Sequence, residues 1–194
     1  MTTTHLLYLH GFRSSPQSAK ARLMAQHIAA HHPGVVWYCP QLPPSPAEAM
    51  AMVRQATAGW PSQHMAVVGS SLGGFYATWV AEQRGCRAVL LNPAVNPARD
   101  LEKYIGEQTQ FHAPEEHFYF QAEYVQELRE LACGDLRQPQ RYLSIIAKGD
   151  EVLDWREMHA RFAATQVLLL EGGDHAISNF DQHLPAVLAH LDCA

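Results

Sequence analysis

The sequence predicts an α/β fold: a three-layer, doubly wound, mostly parallel sheet of about six strands. Short apolar runs recur along the chain, each brief enough to be a strand buried on both faces. Helix-like segments lie between most of them, as parallel neighbours require, because a parallel pair cannot be joined by a tight turn. A length of 194 residues suits one domain over 1–194 with a real core.

Leu6–His10 reads as the first strand, and Ser18–His32 as a helix closing at Gly34. Val35–Cys39 is the second strand, followed by a helix over Pro46–Trp60 whose proline suits the first helical position. Met65–Gly69 runs into a helix over Leu72–Arg84, closed by Gly85, and Ala88–Asn92 is the fourth strand. Tyr142–Ala147 is the fifth strand, then a helix over Asp154–Ala164, a sixth strand over Val167–Leu170 and a last helix near Phe180–Leu191. The interruption is Ala94–Arg141, roughly 48 residues without a clear strand, too long for an ordinary connection. Within it Phe120, Tyr124, Leu128 and Leu131 fall at helical spacing, which predicts a small helical cap with Phe120 and Tyr124 as candidate substrate contacts.

A net charge of −5 and no block of Lys or Arg argue against nucleic acid or an anionic membrane surface as partner. The N-terminal stretch MTTTHLLYLHGF has no basic region and only a short apolar run, so it predicts no signal peptide or membrane span and a cytosolic protein. Four dispersed cysteines without a C-x-x-C pair suit reduced thiols better than a disulfide frame or zinc site. His27, His31 and His32 lack a further ligand at zinc-like spacing and read as solvated positions, so no metal is expected.

The chemistry concentrates in Gly69-Ser70-Ser71-Leu72-Gly73, the one register in which G-x-S-x-G fits. A nucleophile on a strained strand-to-helix turn needs small residues two before and two after it, which singles out Ser71 over Ser70. The same glycines also suit a tight turn or phosphate loop, so the rest of the chain must supply a base and an acid. They follow in the order serine, acid, histidine: Asp150 in KGDEVLD after the fifth strand, and His175 in EGGDHAISNF after the sixth. Asp154, Glu151 and Asp174 compete with Asp150. Asp154 suits a helix N-cap, and Asp174, next to His175, reads as a loop-bracing carboxylate. Backbone amides of Leu72, opening a helix, and of Phe12, in the loop after the first strand, are the expected oxyanion donors. His10 reads as a loop brace, and Arg13 as a solvated cation or a contact for an anionic part of a substrate.

With these residues assembled, the chain resembles the α/β-hydrolase superfamily and, within it, the small bacterial YqiA-like esterases. The resemblance runs nearly end to end through YLHGF, PQLPPSPAEA, VGSSLGGFYATWVAE, LNPAVNPA and GDEVLD. It implies a minimal version of that fold and a Ser71-Asp150-His175 hydrolase of carboxylic esters that needs no cofactor. Arg13 and Ile177 depart from the family pattern, which bears on substrate preference. An acyl thioesterase using the same three residues, or a non-catalytic binding protein on the same scaffold, are the rival readings. The partner expected in either enzymatic case is a small ester or thioester, and the oligomeric state is left open.

Overall fold

The computed structural model describes residues 2–193. In chain order its first half comprises β1 (His5–Leu9), α1 (Ala19–His31), β2 (Val36–Tyr38), α2 (Pro46–Ala56), β3 (Met65–Ser70), α3 (Leu72–Arg84) and β4 (Arg87–Leu91). There follow α4 (Pro97–Leu101), β5 (Gly106–Thr109), β6 (His117–Phe120), α5 (Ala122–Glu130), β7 (Tyr142–Ala147), α6 (Trp155–Phe162), β8 (Gln166–Leu170) and α7 (Phe180–Leu191).

Six strands form one sheet in the order β2-β1-β3-β4-β7-β8, and every adjacent pair is parallel. Successive side chains on a strand point to opposite faces, so the apolar runs feed two cores. Leu7, Leu9, Val67 and Leu90 pack under α2, α3 and α5, while Leu6, Tyr8, Val68 and Leu91 pack under α1 and α7. The chain passes from β1 to β2 on one side and to β3 on the other. Strands β1 and β3 are neighbours whose following helices, α1 and α3, pack on opposite faces, so the crevice of a doubly wound sheet opens at the carboxyl edge between them.

Capping chemistry sets several boundaries. Ser45 accepts from the Glu48 amide at 3.1 Å with Pro46 at the first helical position of α2, and Asp154 accepts from the Arg156 amide at 2.9 Å at the start of α6. Gly85 closes α3 in the left-handed conformation. The helix expected over Pro46–Trp60 stops at Ala56, where the Thr57 hydroxyl donates to the Val53 carbonyl at 2.8 Å.

The segment 94–141 departs from expectation. In place of a purely helical cap it contains an antiparallel hairpin, β5 with β6, followed by α5. The run HFYF has period 2 rather than 3.6: Phe118 and Phe120 turn inward while His117 and Tyr119 face solvent. Phe120 therefore belongs to a strand, and the helical stripe begins only with Tyr124, Val125 and Leu128 on α5. The apparent spacing from Phe120 to Tyr124 crosses an element boundary.

The four cysteines are free, with Cys86 and Cys193 buried and Cys39 and Cys133 half-buried. No helix among the described residues is long and apolar enough to cross a membrane.

Candidate active site

Strand β3 delivers the chain into α3 through Ser71, whose backbone angles are φ 57° and ψ −121°. Such a conformation survives only where neighbours fix it. Here the Ser71 amide donates to Leu91 O at 2.9 Å, and its carbonyl accepts from Gly74 at 2.8 Å and Ala94 at 3.0 Å. The flanking glycines make the turn possible by the absence of a side chain. A Cβ on Gly69 would lie 2.0 Å from Gly73 O, and one on Gly73 would lie 1.9 Å from Leu9 O. Helix α3 thus sits hard against β1 and β3.

His175 arrives on the loop between β8 and α7. Its Nδ1 donates to Asp150 Oδ2 at 2.7 Å, which leaves Nε2 to accept from the Ser71 hydroxyl at 2.9 Å. The carboxylate end of this chain is itself fixed. Asp150 Oδ1 accepts from the amides of Val152 and Leu153, both at 2.8 Å, and its side chain is fully buried. Of the competing acids, Asp154 is committed to capping α6, and Asp174 accepts from the Ser178 amide at 2.9 Å and hydroxyl at 2.5 Å. Those Ser178 bonds hold the Asp174 carboxyl below its usual range.

Two further contacts position the histidine loop, made by residues within GDEVLD and LNPAVNPA to which the sequence alone assigns no such role. Glu151 Oε2 accepts from the His175 amide at 2.9 Å. Asn92, fully buried at the end of β4 with φ 42°, donates to the carbonyls of Asp174 at 3.0 Å and His175 at 3.1 Å and accepts from the Ala147 amide at 2.8 Å. The histidine loop is thus tied to the ends of both β4 and β7. Ile177, another positive-φ residue, is buried beneath the same loop and packs with the core under α1 and α7.

The loop after β1 lies across Ser71: a Cβ on Gly11 would be 3.2 Å from the Ser71 Cβ. His10 braces this loop. Its Nδ1 donates to Gly11 O at 2.9 Å and its Nε2 accepts from the Leu42 amide at 3.1 Å, an arrangement that requires a neutral ring. Burial depresses its pKa, with the Gly11 bond working the other way. The amides of Phe12 and Leu72 have no acceptor among the described residues. Both stand beside Ser71, one from the loop and one from the first turn of α3.

Arg13 is engaged within the protein. Its Nε donates to Thr109 O at 2.7 Å and its Nη2 to Thr109 Oγ1 at 2.9 Å, while its guanidinium stacks 4.6 Å from the Phe111 ring. It tethers the β5–β6 hairpin to the β1 loop. Phe12 packs against Tyr104, Phe118 and Phe120, so the hairpin lies over that loop.

Two cavities flank the loop. One of about 470 Å³ contains Ser71 and His175 together with Tyr8, Ser18, Lys20 and Phe111. The other, about 270 Å³, is lined by Leu42, Met52, Leu72, Tyr76 and Phe118. Phe120 and Tyr124 border neither. Phe120 is a core residue at 1% exposure with the Tyr124 ring edge-on to it 5.5 Å away, and Phe118 is the hairpin aromatic that reaches a cavity. No cluster of three metal-ligating side chains occurs among the described residues.

Residues 5–192 match the model of an uncharacterised protein family, UPF0227. A UPF0227 protein of Serratia proteamaculans is 25% identical over 187 residues, covering 95% of this chain and 97% of its own. Among solved structures, mouse alpha/beta hydrolase domain-containing protein 10 superposes with a TM-score of 0.71 at 14% identity, covering 98% of this chain and 91% of the other. Est1E of Butyrivibrio proteoclasticus gives 0.70 at 14% identity, covering 98% and 86%. An esterase of Pyrococcus furiosus gives 0.64 at 13% identity, covering 98% and 81%. At these identities the likeness establishes the fold, which is that of the α/β hydrolases.

Proposed function

The chain belongs to the UPF0227 family, and from that premise we propose that it is a serine esterase hydrolysing carboxylic esters through Ser71, His175 and Asp150. The observation that carries this reading is the unbroken hydrogen-bond chain from Asp150 through His175 to the Ser71 hydroxyl. A serine hydroxyl is a weak nucleophile until a base takes its proton. His175 Nε2 is the base, kept in the useful tautomer because Nδ1–H is held by the buried Asp150 carboxylate. Ser71 Oγ then attacks the ester carbonyl carbon, and the carbonyl oxygen becomes an oxyanion. The unpaired Phe12 and Leu72 amides receive it, aided by the positive end of α3. Collapse expels the alcohol, which takes its proton from His175. Water repeats the cycle on the acyl-serine.

In this reading the chain is one domain, the segment 94–141 is its cap, and the smaller cavity, with its apolar Leu42, Met52 and Phe118 lining, receives the acyl chain. Four unpaired cysteines fit a reducing compartment such as the cytosol. A fluorophosphonate should phosphonylate Ser71 alone, and a panel of esters, thioesters and peptides should show ester turnover that Ser71→Ala abolishes and Ser70→Ala largely keeps. Turnover of thioesters alone would move the assignment to a thioesterase. Labelling at Ser70, or none, would refute it.

A further inference from the structure

The Phe12 amide, an oxyanion donor in the esterase reading, belongs to a turn that the hairpin grips. A peptide unit is planar and trans, so the Gly11 carbonyl and the Phe12 amide point in opposite directions, and whatever fixes one fixes the other. Gly11 O accepts from His10 Nδ1 at 2.9 Å and from the Ser14 amide at 3.2 Å. The second bond closes a four-residue turn from Gly11 to Ser14, with Arg13 in its third position at φ 59°. Glycine or asparagine adopts that left-handed conformation far more readily than arginine.

What holds Arg13 there is one end of the β5–β6 hairpin. The Arg13 carbonyl accepts from the Phe111 amide at 2.8 Å, Nε donates to Thr109 O at 2.7 Å, and Nη2 donates to Thr109 Oγ1 at 2.9 Å. The guanidinium lies 4.6 Å from the centre of the Phe111 ring. Next to it in the chain, the Phe12 ring packs edge-on against Phe118 and Phe120 of the same hairpin. Leu72, the other donor, follows Ser71 directly and rides on α3. The two donors thus stand on separate parts of the structure, and only the Phe12 loop is joined to the hairpin.

We propose that Arg13 is a positioning residue for ester hydrolysis: by locking the Gly11–Ser14 turn to the hairpin it keeps the Phe12 amide aimed at the oxyanion that forms beside Ser71, without touching the substrate itself. With Nε and Nη2 both bound to Thr109, the planar guanidinium has little freedom to turn toward a ligand. The inference rests on the esterase reading and adds a residue to its machinery.

Two variants test it on 4-nitrophenyl acetate: Arg13→Asn, which tolerates the left-handed conformation but is too short to make both Thr109 bonds, and Thr109→Val, which removes only the Oγ1 acceptor. Acylation and deacylation both use the oxyanion hole, so Arg13→Asn should lower kcat by about tenfold to a hundredfold while KM hardly moves, less than the roughly 10²–10³-fold cost of deleting a donor outright. Butylboronic acid, whose boron accepts the Ser71 Oγ electron pair to become a tetrahedral anion while His175 takes the hydroxyl proton, should bind the variant more weakly by a similar factor. Thr109→Val should lower kcat and boronate affinity in the same direction by about threefold or more, and it decides the matter if Arg13→Asn does not fold. A lower melting temperature with kcat and boronate affinity unchanged, a kcat loss with boronate affinity retained, or a change confined to KM overturns the positioning role, and the last would make Arg13 a substrate contact. In each of those cases the esterase stands, since the wild type turns over the ester. If the wild type shows neither turnover nor fluorophosphonate labelling at Ser71, the esterase reading falls and the inference with it.

Discussion

A carboxylate four residues along the chain from another can do entirely different work. Asp150 gives one oxygen to loop amides and the other to His175, whereas Asp154 caps α6. Asp150→Asn is therefore expected to lower kcat by up to about 10⁴-fold by admitting the wrong imidazole tautomer. Asp154→Asn should leave kcat nearly intact and cost at most about 1 kcal/mol in denaturant unfolding. The reverse outcome would reassign the acid. His10 makes a pH-dependent prediction. Its folded pKa is depressed, so the unfolded chain binds its proton more readily, and its contribution to stability is present above the unfolded value near 6.5 and lost as pH falls through the depressed folded value. The melting temperature should fall on acidification below about pH 6.5, and His10→Asn should flatten that slope. At this scale the sequence is readable where a residue belongs to a spaced motif: Ser71 is marked by its glycines, and His175 and Asp150 by their order after strands. The positioning roles of Asn92 and Glu151 are not readable, because a polar residue just past a strand end has many ordinary uses. Only the fold shows that Asn92 meets the histidine loop 82 and 83 positions away.

Elements fail or succeed as readings according to whether one period governs them. Helix α3 and strand β7 are legible to the residue, since each has a continuous pattern with clear bounds. The hairpin is not. Its β5 strand, GEQT, is polar, and its β6 strand abuts a helix, so period 2 blends into period 3.6. Placing Phe120 in a strand separates two aromatics that seemed equivalent. Phe120→Ala should cost about 3–5 kcal/mol of stability, as a core truncation. Phe118→Ala is expected instead to shift discrimination among ester chain lengths by about 1–3 kcal/mol, read from kcat/KM across a homologous series. Equal selectivity in wild type and the Phe118 variant would remove the smaller cavity from acyl recognition. At the end of β4, Asn92→Ala should lose about 1–3 kcal/mol by stranding two carbonyls and an amide, and should lower kcat more than it raises KM because it loosens the loop that carries His175. A stability loss with unchanged kcat would make Asn92 purely structural.

Across the whole molecule, the α/β class and the parallel sheet follow from the alternation of elements, but the order β2-β1-β3-β4-β7-β8 does not. Which strands become neighbours is decided by long-range packing of two faces rather than by any local signal. The order matters because it puts the β1 and β3 loops side by side, bringing Gly11 against Ser71. The same burial that builds these faces has a chemical consequence for the cysteines. It raises the Cys39 and Cys86 pKa values to about 12 and Cys193 to about 11, and lifts Cys133 as well. Burial thus disfavours the thiolate at all four cysteines, so sulfur, ordinarily the most reactive nucleophile a protein offers, is muted among the described residues. A promiscuous warhead, a β-lactone or a carbamate, should accordingly meet less competition from thiols, and the cysteine adducts that complicate ranking covalent inhibitors by intact mass should be few.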